Sequence, residues 1–279
     1  MKLHVISAGH FKLDGGAMFG VVPKSLWSRT NPADEHNMCE WTMRCLLVEI
    51  GDRRILIDTG MGDKQSEKFF SHYHLFGANT LENSLREKGF HPDDITDVFL
   101  THLHFDHCGG AVKGQANQYE LLFKNATHWS NEAHWKWATI PNDREKASFL
   151  KENILPIEES GKLSFINKEG EWLEGFEIYH FNGHTDSQMI PHLKIGGKTI
   201  VFMADLLPST GHIPLPYVMG YDIRPLITLD EKRKFLNDAA DKDYILFLEH
   251  DIENQCCTVM HTEKGVRLNK TGKLTDFIA

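Results

Sequence analysis

The chain has 279 residues, 41% of them hydrophobic and 25% charged, with a formal net charge of −9. That is ordinary globular composition, in a chain long enough to bury a core without staples. The acidic balance excludes a basic nucleic-acid footprint, and the apolar runs are strand-sized, too short to span a bilayer.

In chain order, Met1-Lys2-Leu3-His4-Val5-Ile6 lacks the apolar segment of a signal peptide, which makes a cytoplasmic protein the default expectation. Residues 44–49 are β-leaning, Gly51-Asp52 breaks the run and 53–58 resume it, predicting a hairpin. His72 and His74 flank Tyr73 and read as surface or helix residues. A helix is predicted over 80–88, with Thr80 as N-cap and Gly89 as its stop. Residues 97–101 form a buried strand and 126–129 a short one, followed by helices over 131–137 and 143–152 around Ile140-Pro141. Strands follow at 176–181, 188–195 and 198–203, the last two joined by a tight turn at Gly196-Gly197. A helix over 229–240, a buried strand over 244–248 and a strand over 258–261 complete the chain. Strands come in runs rather than in βαβ alternation. The expectation is an α+β protein, a single domain over 1–279, with two sheets packed face to face and helices outside. The five cysteines, Cys39, Cys45, Cys108, Cys256 and Cys257, match neither a zinc knuckle nor a disulfide framework and read as buried free thiols.

His102-Leu103-His104-Phe105-Asp106-His107 is the densest chemical signal. With 17 histidines in the chain, pairs two apart arise by chance, but an added Asp and third His do not. Imidazole and carboxylate together suit zinc, manganese or iron rather than a thiolate site. If the chain stays extended past Thr101, His102 and His104 face one way, and the following turn can aim Asp106 and His107 at a second point nearby. Two adjacent metals served from one strand end are implied. Three later residues also stand just beyond apolar runs: His184, Asp205 and His250. Taken singly, these can be a turn histidine, a helix N-cap and a solvent-facing strand end. Taken as a set, His102, His104 and His184 can hold one ion, Asp106, His107 and His250 the other, and Asp205 can bridge both. Each ion then keeps an open position for a shared water or hydroxide.

This pattern resembles the metallo-β-lactamase superfamily: HLHFDH, then the His of GHT, the Asp of FMAD and the His of LEH. The resemblance implies an αββα sandwich of two mixed sheets with outer helices, and makes Asp58, in Leu56-Ile57-Asp58-Thr59-Gly60, the carboxylate that orients a metal-bound histidine. A plain turn carboxylate is the alternative for Asp58. Residues 13–23, and the Trp-Ala-x-x-Pro-Asn pattern near residue 140, are similar to the branch holding N-acyl homoserine lactonases and methyl-parathion-type hydrolases. Lactonases of that branch commonly carry a tyrosine three residues after the bridging Asp. Here that position is Pro208, and His212 is the candidate to replace it, with a surface loop histidine as the alternative.

The resemblance implies a hydrolase with two divalent ions, zinc foremost and Mn, Co or Fe as alternatives. A metal-bridging hydroxide would open the lactone ring of N-acyl homoserine lactones (quorum quenching), with Asp106 as general acid. Met18, Phe19, Val22 and Phe105 would line an acyl-chain groove, unless they are plain core. Alternatives are a phosphotriesterase or general esterase, a thioester hydrolase, and, in another class, a di-iron redox protein, against which His104 argues. The partner is a small lactone or ester, with no nucleic acid or membrane. Exposed aromatics leave room for a homodimer without identifying a face.

Overall fold

A computed structural model describes residues 1–115 and 118–278. Its contacts separate two compact units, Met1–Phe11 with Met43–Lys168, and Lys12–Thr42 with Glu169–Ala279. Both units are mixed sheets with helices, in keeping with the α+β class.

The first unit carries a six-stranded sheet ordered β1-β2-β3-β4-β7-β8. Its strands are β1 (Lys2–Asp14), β2 (Met38–Ile50), β3 (Arg53–Ile57), β4 (Asp97–Phe99), β7 (Thr127–Ser130) and β8 (Leu163–Phe165); β5 (Val112–Gln115) and β6 (Gln118–Leu121) pair as a separate hairpin. The predicted hairpin forms: β2 and β3 run antiparallel with Leu46 opposite Ile57 and Ile50 opposite Arg53. β4 then pairs parallel with β3 on one side and β7 on the other. A parallel strand covered on both faces is apolar on both, and Val98 and Phe99 are fully buried. Leu47, Leu56, Val98, Leu100, Leu103 and Ile157 share one core with it.

The helix Leu81–Glu87 is capped as expected, with Thr80 Oγ1 accepting from the Asn83 N–H at 3.3 Å. The helix predicted over 143–152 lies elsewhere, at Lys151–Glu159. Asn142 does start a turn there, its Oδ1 accepting from the N–H groups of Arg144 (2.9 Å) and Glu145 (3.1 Å) as an N-cap does, but residues 143–148 stay a turn and do not continue as a helix.

The second unit carries a seven-stranded sheet ordered β15-β14-β13-β12-β11-β10-β9. The strands are β9 (Gly170–Leu173), β10 (Phe176–Phe181), β11 (Gln188–Ile195), β12 (Lys198–Phe202), β13 (Ile245–Phe247), β14 (Cys256–Thr262) and β15 (Gly265–Gly272). β12 and β13 are parallel, and the pairs β9–β10, β10–β11, β11–β12, β13–β14 and β14–β15 are antiparallel. Gly196 and Gly197 both take positive φ (57° and 75°), as a two-residue hairpin turn requires. The predicted helix over 229–240 extends to Pro225–Asp241, starting on a proline whose missing N–H costs nothing there. All five cysteines are free and buried. Among the described residues, no helix is long and apolar enough to cross a membrane.

Candidate metal centre

In the first unit the ligand-bearing segment leaves the C-terminal end of β4. Asp58, at the end of β3, adopts a left-handed conformation (φ 57°) and is fully buried. A buried carboxylate is costly unless its oxygens are bonded, and here they are. Oδ1 accepts from the Thr101 N–H at 2.8 Å, and Oδ2 from the Thr101 hydroxyl at 2.6 Å. Oδ2 also lies 3.0 Å from His107 Nδ1. One carboxylate therefore pins the motif at both ends.

The same contacts assign tautomers. Thr101 Oγ1 spends its proton on Asp58, so it accepts from His102 Nδ1–H at 3.1 Å, leaving His102 Nε2 bare. Glu145 Oε1 lies 3.4 Å from His104 Nε2, which places the His104 proton there and leaves Nδ1 bare. These two bare nitrogens, His102 Nε2 and His104 Nδ1, lie 3.1 Å apart. Two lone pairs facing each other in a buried site need a cation or a shared proton between them. His107 Nε2, its other nitrogen held by Asp58, lies 3.8 Å from Asp106 Oδ2. The backbone below is tight: Thr59 N–H donates to the His107 carbonyl at 2.7 Å, and a Cβ at Gly109 or Gly110 would lie 2.2 Å from the carbonyl oxygen of Met61 or Thr59.

The second unit repeats the logic. His184 follows β10 with Nδ1 2.9 Å from Asp222 Oδ1, and His250 follows β13 with Nδ1–H donating to the Thr42 carbonyl at 2.8 Å. Their Nε2 atoms meet the two oxygens of one carboxylate: Asp205 Oδ2 is 3.0 Å from His184 and Oδ1 is 3.1 Å from His250. Asp205 follows Ala204, whose φ of 39° is strained for a residue with a Cβ and costs about 1 kcal/mol. Burial lowers the His184 pKa, but Asp205 and Asp222 outweigh it and hold the imidazole at about 10. The metal-free protein therefore keeps two protons on His184, one of which a metal would displace.

All five histidines thus turn one nitrogen outward to a carboxylate, carbonyl or hydroxyl and the other inward. That is how metal-binding imidazoles are oriented, and the donor set fits divalent zinc, manganese or iron. Glu145, Asp222 and Thr101 were not anticipated from sequence. Glu145 is held by Trp137 Nε1–H (2.6 Å) and Asn142 Nδ2–H (2.7 Å), and it lies 41 residues from the histidine it touches, too far for any spacing rule.

The other candidates sit as follows. His212 is buried with both nitrogens committed: Nε2–H donates to the Met18 carbonyl at 2.9 Å, and Nδ1 accepts from the Ser209 hydroxyl at 2.8 Å. Its ring stacks on Phe19 at 4.4 Å, and Phe19 stacks on Trp27 at 5.3 Å. In this geometry His212 offers no nitrogen to a substrate, because it holds the Met18 backbone. Met18 and Phe19 are buried and Val22 is half-buried. Phe105 is 7% exposed and packs against the rings of Phe69 (5.3 Å) and Tyr73 (4.7 Å). Burial first, and then Asp106, pushes the Tyr73 phenol up to about 12, so it stays a donor. His212→Ala is expected to cost roughly 3 kcal/mol by leaving a cavity and an unpaired Met18 carbonyl. A urea midpoint reads this directly; lost turnover at unchanged stability would return His212 to the substrate.

The family model described as Metallo-beta-lactamase superfamily matches residues 44–250. The N-acyl homoserine lactonase AiiA of Bacillus thuringiensis subsp. kurstaki is 25% identical over 269 residues, covering 91% of this chain and 94% of that protein. Among solved structures the chain is similar to a probable metal-dependent hydrolase from Staphylococcus aureus, with a TM-score of 0.88 and 30% identity over 97% of this chain and 95% of that one. It is also similar in fold to AidC, a dizinc quorum-quenching lactonase in complex with a product, with a TM-score of 0.80 and 22% identity over 98% and 95% of the two chains.

Proposed function

The chain belongs to the metallo-β-lactamase superfamily, and from that premise we propose that it is a dinuclear metal-dependent hydrolase that opens the lactone ring of N-acyl homoserine lactones. His102, His104, His184 and Asp205 would take one ion and Asp106, His107 and His250 the other, with Asp205 shared. The observation that carries the reading is Asp205 itself, whose two oxygens each face a different imidazole at about 3 Å. A carboxylate so placed suits a bridge between two cations better than a single ion pair.

Two divalent ions, zinc foremost, would supply an activated water and polarise the lactone carbonyl. The protein supplies the rest. Asp58, Glu145, Asp222 and the Thr42 carbonyl hold the histidines in the ligating tautomer. Asp106, whose side chain keeps 12% exposure, can take the proton shed by the attacking water on a carboxylate oxygen and return it to the leaving ring oxygen. The rings of Phe69, Tyr73 and Phe105 present an apolar face for the acyl chain. The AiiA and AidC likenesses support the lactone as substrate.

Phosphotriester or ester hydrolysis on the same ligands is the second reading, favoured by Pro208 at the family tyrosine position and by the commitment of both His212 nitrogens. The test is turnover of pure metal-loaded protein on acyl homoserine lactones, organophosphate triesters and thioesters side by side. Lactone opening is expected to exceed the others by at least about tenfold, worth ~1.4 kcal/mol of barrier; negligible lactone opening would remove the leading reading.

A further inference from the structure

We infer that His134 is a positioning residue for one of the two ions: its imidazole fixes the peptide between the ligands His102 and His104. The proposal rests on the dinuclear reading above and adds a residue to it.

Past β4 the Leu100 N–H still donates to the Trp129 carbonyl at 3.0 Å, but Leu103 lies outside any strand, so its amide needs another acceptor. The Leu103 N–H donates to His134 Nε2 at 2.8 Å, and both residues are fully buried. The Leu103 carbonyl is held too, accepting from the Cys108 thiol at 3.3 Å. The peptide between the two ligands is therefore gripped at both polar groups by side chains.

His134 is itself well placed to act as a fixed point. It sits in the first turn of the helix Glu132–Thr139, where its N–H donates to the Asn131 side chain at 2.8 Å. Phe149 packs against both the His134 ring (5.8 Å) and the His104 ring (4.8 Å), so the holder and the held ligand share a wall. An acceptor at Nε2 requires the proton on Nδ1, a single tautomer. A shift of the Leu103 peptide would move His102 Nε2 and His104 Nδ1 relative to each other, and their 3.1 Å separation is what defines the ion's seat. Only the ion held by this pair should feel the change.

The experiment is stepwise zinc loading of metal-free full-length protein against a competing chelator, for wild type, His134→Leu and His134→Gln. Glutamine reaches as far from Cβ as histidine and presents an acceptor oxygen at the same place. His134→Leu is expected to weaken one loading step by on the order of 10–100-fold, the usual penalty for losing a group that orients a metal ligand, and to leave the other within about threefold. His134→Gln is expected to keep both steps within about threefold of wild type. A role in folding alone would lower the melting temperature of His134→Leu and leave both loading steps unchanged, which overturns the proposal. If His134→Leu does not fold, His134→Gln decides: a tenfold loss there overturns it, and retention supports it. A wild-type protein that fails to take up two ions would instead sink the dinuclear reading on which the proposal rests.

Discussion

Asp205→Ala is expected to lower metal content from about two ions per chain to at most about one, and to reduce turnover on the order of 10³-fold. The two oxygens of Asp205 each face a histidine of the second unit, His184 and His250. Its removal deletes a donor from each proposed ion and leaves more uncompensated positive charge in a buried site. The turn that presents it is strained at Ala204 and held by the Met203 N–H donating to the Phe247 carbonyl at 2.9 Å. Asp205→Asn sharpens the test: it keeps the shape but replaces one oxygen by a group with no lone pair to give. Metal quantitation beside the turnover assay checks both variants. Two retained ions with lost turnover would reject the bridge and leave Asp205 a purely catalytic group.

Acidification from pH 6.5 to pH 4 is expected to remove most of the stability of the metal-free protein. Burial holds His128, His192 and His212 each at about 4, against an ordinary value of 6.5. The folded form resists protonation while the unfolded chain accepts it. The stabilisation is therefore complete above pH 6.5 and drains as pH falls toward 4. At ~1.4 kcal/mol per pH unit, each ring contributes about 3 kcal/mol. Three together approach the whole stability of a typical domain, about 5–15 kcal/mol. His184, held at about 10, is protonated in the folded state throughout and in the unfolded chain once pH falls below 6.5, so it adds little slope over most of the window. Urea midpoints at several pH values between 7 and 4 check the claim, and His128→Leu should remove roughly a third of the slope, in line with one ring of three. A midpoint that stays flat across the window would refute it.

The parts of the site that were legible in the sequence are those governed by local pattern. A candidate ligand placed just beyond an apolar run can be read because the strand fixes where the next residues emerge; His102, His184, Asp205 and His250 all belong to this class. Thr80 and the Gly196-Gly197 turn were legible because caps and turns depend on a few neighbouring residues. The outward partners of the histidines were not. Asp222 meets His184 across 38 residues and Thr42 meets His250 across 208, distances that only tertiary packing closes. Residues 143–152 misled because Asn142 starts a turn there as an N-cap would, yet the turn ends as Glu145 reaches His104, and the helix begins only at Lys151. β15 escaped because its residues are largely exposed and show no alternation.

The glycine pair behind the motif has an evolutionary consequence. With carbonyl oxygens standing 2.2 Å from any added Cβ, Gly109 and Gly110 admit no other residue without displacing the loop that carries His107. Change is therefore barred from the floor beneath the candidate ligands and left to open surface such as Val21, which stands 97% exposed and where a new side chain meets only water. A lineage built on this scaffold would inherit its chemistry unchanged while its choice of substrate drifts.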